Sequence, residues 1–180
     1  MNIDEGIVCL HGMLKSKFCQ QIIKVSDKLC TEKIKTKGGD TEYRKGIGHI
    51  LDRRSLRDQI YFQIIHAQIK SFINHYTLKF PHSRVDKLSE IQLLKYNPGG
   101  KYDVHTDSMR GGLRHISLIM NLNENYNGGD LVFFDNKNNE TKRIELKEGS
   151  VVMFPSNFLY PHKIEPITKG TRYSIVAWLT

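Results

Sequence analysis

Residues 97–107 read NPGGKYDVHTD, a glycine-rich turn that leads into a strand-like segment with an imidazole and a carboxylate two residues apart. Side chains i and i+2 of a β-strand point to the same face, so His105 and Asp107 are predicted to converge on one point. The pair either lines a polar pocket or shares a metal ion. The rest of the chain has to distinguish these two roles.

The second half of the chain has the pattern of a β-sandwich or barrel. Turn signals such as NPGG, YNGG, NKNN and KEG separate its short apolar runs. Many short strands at this spacing predict a barrel or a two-sheet jelly roll. The predicted strands are IQLLKY (91–96), HISLIMNL (115–122), DLVFF (130–134), KRIEL (142–146), SVVMF (150–154) and RYSIVAWL (172–179).

The first half is predicted to be helical, with two helices flanking a loop. Ser16 is expected to cap the first helix. Ser55 and Asp58 resemble a capping box that opens a second, longer helix, which Pro81 must end. Residues 31–49, rich in glycine and lysine, are predicted to form a loop. The apolar positions expected to face inward are Leu14, Phe18, Ile22, Val25 and Leu29 in the first helix and Leu56, Ile60, Ile64, Ala67 and Phe72 in the second.

These patterns predict a mainly β protein with supporting helices (α+β). The 180 residues are expected to form one domain, with residues 1–90 as helical support packed on one sheet and residues 91–180 as the jelly-roll core. The apolar runs are too short to span a bilayer, and the N-terminus lacks a signal-peptide pattern. Cys9, Cys19 and Cys30 have no CxxC spacing and are interpreted as reduced thiols of a cytoplasmic protein.

The net charge of +8 allows two interpretations. A positive surplus can attract nucleic acid or an acidic substrate. It can also be a solvated basic surface, which we favour because no aromatic residues are regularly interleaved with the basic ones. A nucleic-acid-binding module therefore stays an alternative, for which steep salt dependence of binding would be the sign.

A second histidine and an arginine later in the chain help to interpret the His105 and Asp107 pair. His162 lies at the edge of another predicted strand, and Arg172 lies inside TRYSIVAWL. Two imidazoles and one carboxylate are the facial triad of non-haem Fe(II) sites. The order HxD, distant His and then Arg, with each on a predicted strand, favours a metal centre over a chance pair.

The segments YNPGGKYDVHTD, YNGGDLVFF and KEGSVVMFPSNFLYPHKIEPITKGTRYSIVAW resemble the Fe(II)/2-oxoglutarate-dependent dioxygenase superfamily. Within it, the chain is most similar to the prolyl 4-hydroxylase-like branch that includes PKHD-type hydroxylases. The resemblance covers about half of the chain, and it implies a double-stranded β-helix. Many prolyl 4-hydroxylases have Lys where this chain has Arg172, and the arginine suits the PKHD-type relatives. The second C-terminal arginine typical of AlkB-type demethylases has no counterpart here.

The resemblance also implies roles for individual residues. The family pattern assigns the metal ligands as His105, Asp107 and His162. It assigns Arg172 to the distal carboxylate of 2-oxoglutarate, which a guanidinium can bind bidentately. Tyr96 and Ser174 match or neighbour the cosubstrate contacts, while Tyr102 and Arg114 fall where related prolyl hydroxylases contact substrate.

The implied activity is hydroxylation of a C–H bond with Fe(II), 2-oxoglutarate and O2, with ascorbate as a further candidate cofactor. The expected substrate is a prolyl residue in a peptide or protein. The alternatives are a free amino acid or other small molecule, and a non-catalytic jelly roll that binds the metal structurally. The glycine-rich segments at 35–48 and 108–112 are predicted lids over the site.

Overall fold

The computed structural model describes residues 3–34, 42–83, 85, 87–108 and 114–180. Residues 35–41 and 109–113, which are central to the two predicted lids, lie outside the described residues. The helices are α1 (Ser16–Leu29) and α2 (Leu56–Lys79), after a 3-10 turn at Ile3–Gly6. The strands are β1 (Val8–Leu10), β2 (Glu32–Lys33), β3 (Arg44–Lys45), β4 (Ile47–Ile50), β5 (Leu88–Tyr96), β6 (Lys101–His105), β7 (Ile116–Asn121), β8 (Asn127–Gly128), β9 (Leu131–Phe134), β10 (Glu140–Ile144), β11 (Val151–Pro155), β12 (His162–Ile164), β13 (Ile167–Lys169) and β14 (Arg172–Leu179).

The strands form two antiparallel sheets, as the sequence predicted for the second half of the chain. The major sheet has the order β1-β11-β7-β14-β5-β4-β2, and the minor sheet has the order β10-β9-β12-β6-β3. A small β13-β8 pair stands apart from both. Each run predicted to be a strand is found as one, within a few residues at its ends.

Both helices pack on one face of the major sheet. Ile65 and Phe72 of α2 are buried in the same apolar cluster as Leu93 of β5 and Ile175 of β14. Strand side chains alternate between faces, so the neighbours of these strand residues point to the opposite side of the sheet. The helices therefore cover one face of the sheet, and the other face remains available for a site.

The predicted inward face of α2 is wrong by part of a turn. Leu56, Ile60 and Ile64 are 78%, 60% and 43% exposed, and Ala67 is also exposed. Of the predicted positions only Phe72 is buried. The helix carries apolar residues on two stripes, so periodicity could not choose between them. The apolar side chains that α2 buries are Phe62, Ile65, Ile69, Phe72 and Tyr76.

The predicted helix starts are partly confirmed. Ser55 caps α2, because its hydroxyl accepts the backbone N–H of Asp58 at 3.4 Å. The carboxylate of Asp58 does not complete a capping box; it accepts from the backbone N–H of Asp52 and from His49. Ser16 is the first residue of α1 and does not cap it, since the N-cap is Lys15. In α1 the predicted face is buried or partly buried.

The prediction of a loop over residues 31–49 is only partly correct, because short strands begin within this range. β2 and β4 extend the major sheet beyond β5, and β3 pairs with β6 at the edge of the minor sheet. The sequence pattern did not predict these strands because each is short and depends on a distant partner for its hydrogen bonds. The three cysteines are free thiols. No helix in the described ranges has the length and apolar character to cross a membrane.

A pair of isoleucine truncations tests the orientation of α2. Ile65→Ala should lower the free energy of unfolding by about 2–5 kcal/mol, because it empties space in a close-packed core. Ile60→Ala removes the same atoms from the exposed stripe and should cost about 0.5 kcal/mol or less. Urea unfolding of both variants measures the difference, and equal losses would contradict the observed orientation.

Candidate metal centre and its pocket

A cavity of about 360 Å³ lies between the two sheets. On the major sheet it is lined by alternate residues of β14, from Arg172 through Ser174 to Trp178. β5 pairs with β14 so that Tyr96 lies opposite Arg172. The intervening residues of β14, such as Ile175, point to the helix-covered core instead. The period of two along one strand thus separates a polar pocket from an apolar core.

The minor sheet brings the predicted triad together. β6 and β12 are antiparallel neighbours, and His162 pairs directly with His105 across them. The prediction that Asp107 lies on the strand is wrong, because β6 ends at His105 and Asp107 follows two residues later. One ligand atom from each of the three residues lies within 4.8 Å of the other two.

Backbone carbonyls hold both imidazoles in one orientation. Nδ1 of His105 is 2.8 Å from the carbonyl oxygen of Asp103, and Nδ1 of His162 is 3.0 Å from that of Tyr160. A carbonyl only accepts, so each Nδ1 carries a proton, and the neutral form of each ring has its lone pair on Nε2. These Nε2 atoms lie 3.6 and 3.8 Å from the two carboxylate oxygens of Asp107.

The surroundings favour the protonation states that a divalent metal requires. Burial and the neighbouring His162 lower the pKa of His105, so this imidazole is neutral at neutral pH. Burial opposes ionisation of Asp107, but the two imidazoles and a hydrogen bond from Ser117 outweigh it and lower the pKa of the carboxyl. The Ser117 hydroxyl donates to Asp107 Oδ2 at 2.6 Å. A neutral imidazole beside a carboxylate is a ligand set ready for a metal.

Arg172 and Ser174 form a second polar subsite in the same cavity. Arg172 is only 1% exposed, and its Nε donates to Asn121 Oδ1 at 3.2 Å. The Ser174 hydroxyl is buried and has no hydrogen-bond partner among the described residues. The guanidinium carbon lies 5.7 Å from the centre of the Tyr96 ring. A buried guanidinium and an unsatisfied hydroxyl on one strand face fit a carboxylate ligand.

Tyr102 and Arg114, the two predicted substrate contacts, also line the cavity. The ring of Tyr102 stacks on the imidazole of His105, with centroids 3.5 Å apart and planes 16° apart. The Arg114 guanidinium lies 3.6 Å from the centre of the Trp178 ring and 3.4 Å from a Glu90 carboxylate oxygen. The structure therefore brings all eight predicted site residues to one pocket.

Sequence reasoning missed other pocket residues. Arg44 was assigned to a loop, yet it is buried on β3 and lines the cavity. Trp178 is buried and also forms part of the cavity wall. The even spacing of Trp178 from Arg172 along one strand could have placed both on the same face. Nothing local in the sequence could have found Arg44, because its neighbours in space are distant in the chain.

Comparison with known proteins agrees with this geometry. The family described as the 2OG-Fe(II) oxygenase superfamily matches residues 91–180, which is half of the chain. The chain belongs to this superfamily. The matched residues include the triad, Arg172 and Ser174. The superfamily membership predicted from the motifs is thereby confirmed.

Similar members of the superfamily include PKHD-type hydroxylases. One from Idiomarina loihiensis is 31% identical over 100 residues, a match that covers 53% of this chain and 44% of that protein. Another, from a Synechococcus species, is 26% identical over 183 residues, covering 96% of this chain and 77% of that protein. The chain thus spans less than half of the first relative and about three quarters of the second.

Solved structures of superfamily members have the same fold. A prolyl hydroxylase from Trichoplax adhaerens, in complex with a hypoxia inducible factor peptide fragment, aligns with a TM-score of 0.78 and 19% identity, covering 97% of this chain and 83% of that one. A prolyl-4-hydroxylase from Pseudomonas putida aligns with a TM-score of 0.71 and 20% identity, covering 99% and 96%. The predicted double-stranded β-helix is confirmed.

Asn121 should be required to hold the buried arginine. Asn121→Ala leaves Arg172 Nε without its acceptor and removes the amide donor to the carbonyls of Asn123 and Leu146. The free energy of unfolding should fall by at least about 2 kcal/mol, since a buried charged donor loses its partner. Urea unfolding measures it, and Asn136→Ala in an exposed turn is the control, with a change of about 0.5 kcal/mol or less. An equally small change for Asn121→Ala would show that the contact is dispensable.

Proposed function

We propose that this chain is an Fe(II)- and 2-oxoglutarate-dependent dioxygenase that hydroxylates a C–H bond, with His105, Asp107 and His162 as the iron ligands. The observation that supports it best is the combination within one cavity of converging Nε2 and carboxylate atoms with the buried Arg172. Two neutral imidazoles and a carboxylate leave open positions on the metal for other ligands. A purely structural metal site would not need a buried guanidinium beside it.

In this proposal Arg172, Ser174 and Tyr96 hold 2-oxoglutarate. The guanidinium and the unsatisfied hydroxyl suit the distal carboxylate, which reaches them at the buried end of the cavity. When bound, the metal and cosubstrate supply the oxidative chemistry, in which O2 and 2-oxoglutarate yield succinate, CO2 and the hydroxylated substrate. Asn121 and the Tyr96 ring orient the arginine so that the cosubstrate enters in one direction.

The remaining residues position the ligands and the substrate. The carbonyls of Asp103 and Tyr160 fix the imidazole rings, and the Ser117 hydroxyl fixes the carboxylate. Outer contacts of this kind orient metal ligands and keep the correct tautomer. Tyr102 shields one face of His105, while Arg114 and Trp178 form the wall on which a substrate would rest. The apolar parts of this wall exclude water from the reacting atoms.

The proposed substrate is a prolyl residue of a peptide or protein. Support comes from the PKHD-type relatives and from fold neighbours named as prolyl hydroxylases, one of them solved with a peptide. A free amino acid is the alternative, because the cavity volume also suits a small molecule. A role for ascorbate and a cytoplasmic location stay predictions.

Loss of the anionic ligand should abolish turnover. Asp107→Ala leaves two neutral imidazoles, which hold Fe(II) weakly. Succinate formation from 2-oxoglutarate with added Fe(II) should fall to background while the circular dichroism spectrum is retained. Asp103→Ala is the matched control, since that side chain pairs with Lys101 in the described part of the chain and its backbone carbonyl remains in place. Normal turnover by Asp107→Ala would rule out the triad.

Loss of the buried arginine should weaken cosubstrate binding. Arg172→Ala should raise the KM for 2-oxoglutarate by roughly 30-fold to several thousand-fold, the equivalent of about 2–5 kcal/mol for a lost partner of a buried charge pair. Arg172→Lys should lose less, because it keeps the charge without the bidentate fork. Arg143→Ala, which removes an exposed arginine from a surface ion-pair cluster, should leave the KM unchanged. An unchanged KM in Arg172→Ala would mean that another residue binds the cosubstrate.

The substrate class is tested by coupled turnover. Wild-type protein with Fe(II) and 2-oxoglutarate is offered a proline-rich peptide and free L-proline side by side, and hydroxylated product is detected by mass spectrometry. A gain of about 16 Da on the peptide, the mass of one added oxygen atom, supports the prolyl-protein assignment. Hydroxylation of free proline alone would favour the small-molecule alternative. Succinate formation without either product would place the substrate outside both classes.

A further inference from the structure

Arg44 is a buried cation beside the metal centre to which the proposed function assigns no role. It lies on β3 directly opposite Tyr102 of β6 and is 8% exposed. Its guanidinium carbon lies 4.5 Å from the centre of the Tyr102 ring, and that ring stacks on His105. Arg44 lines the same cavity as the triad. Arg44 therefore contacts Tyr102, the side chain that packs against the proposed ligand His105.

Among the described residues, the hydrogen-bonding capacity of Arg44 is only partly satisfied. Its Nη2 donates to the amide oxygen of Gln92 at 3.3 Å, and this partner is neutral. Its Nε is buried and has no hydrogen-bond partner within the described ranges. Arg114, in the same cavity, differs because it pairs with Glu90. In the described part of the chain no carboxylate forms an ion pair with Arg44, and a buried guanidinium without such a partner is costly, so its burial is expected where a ligand supplies the anion.

The charges of the cavity point to the same conclusion. Among the described residues its charged side chains are three arginines (Arg44, Arg114 and Arg172) and two carboxylates (Glu90 and Asp107). This leaves a surplus of one positive charge. Binding of Fe(II) and of the 2-oxoglutarate dianion would not change the surplus, because their charges cancel. Since Arg114 has Glu90, and Arg172 is the proposed partner of the cosubstrate, the surplus belongs to Arg44.

We propose that the substrate presents a carboxylate to Arg44 when its reactive C–H bond lies at the metal. This inference rests on the proposed function, because it places the substrate in the cavity between the triad and Arg44. The carboxylate has two possible sources: an acidic side chain beside the hydroxylated residue of a peptide, or the α-carboxylate of a free amino acid. Arg44 is then a specificity residue, and the hydroxylation chemistry does not depend on it directly.

The first test of the proposal measures how tightly the wild-type protein binds carboxylate and amide compounds. Trp178 is the only tryptophan of the chain and lines the cavity, so its fluorescence reports occupancy of this site. Protein loaded with Fe(II) and 2-oxoglutarate without O2 is titrated with two matched pairs. One pair is a proline-containing peptide with Glu or Gln beside the proline, and the other is L-proline and L-prolinamide.

The carboxylate member of one pair should bind about 10- to 100-fold more tightly than its amide, the range expected for hydrogen bonds to a charged group. The pair that shows the preference identifies the source of the carboxylate. Equal affinities within both pairs, or no binding by any of the four compounds, would overturn the proposal. This arm needs no variant and is independent of protein stability.

Variants then assign the preference to Arg44. Arg44→Gln should abolish the preference for the carboxylate, and Arg44→Lys should retain part of it. Lys45→Gln is the matched control, since it removes an equal charge from the next, exposed residue of β3 and should keep the full preference. A preference that survives in Arg44→Gln would overturn the proposal. So would a loss of 2-oxoglutarate affinity in this variant with the substrate preference intact, because Arg44 would then serve the cosubstrate.

Succinate formation, measured on the same samples, separates this proposal from the function on which it rests. If the wild-type protein forms no succinate under any condition, the dioxygenase assignment fails. The fluorescence preference and its loss in Arg44→Gln still decide whether Arg44 is an anion site. Normal succinate formation with equal affinities overturns only the Arg44 proposal.

Discussion

The antiparallel pairing of β6 with β12 is the constraint on which the candidate metal centre depends. It places His162 directly opposite His105, although the two residues are distant in the chain. The same backbone supplies the carbonyls that fix both Nδ1 protons, so both Nε2 atoms face Asp107. Register is sensitive to single residues, because a slip by one position would turn one histidine to the other face of the sheet. The ladder of backbone hydrogen bonds therefore sets the geometry of the site.

Alternation along β14 explains how one strand serves both core and pocket. Ile175 and Ala177 are buried against the helices, while Arg172 and Ser174 face the cavity. Burial of an arginine is tolerated because Asn121 accepts its Nε–H, and the cavity leaves the remainder of the guanidinium available to a ligand. Arg44, on the opposite sheet, is likewise buried and donates to a neutral amide oxygen, that of Gln92. The pocket combines strong anion-binding potential with few internal countercharges.

The errors of the sequence predictions share a physical cause. α2 has apolar residues on two stripes, so its buried face was decided by the position of the sheet beneath it. β3 consists of two residues whose strand conformation depends on pairing with β6, which no local pattern reveals. Ser16 has the chemistry of a cap, yet the helix begins one residue earlier than such a role requires. For α2 and β3, a tertiary contact chose between alternatives of similar local energy.

The sequence by itself determined the strand pattern of the second half and the family, and it singled out the candidate triad, Tyr96, Arg172 and Ser174, which all line one cavity. It could do so because strand period, turn residues and ligand chemistry are written into short segments. Only the tertiary structure decided which face of α2 is buried, where Asp107 lies relative to the end of β6, and that Arg44 belongs to the pocket. These features arise from the packing of two sheets and from pairing between distant segments. Such contacts have no local signature, since their free energy is gained only when both partners are in place.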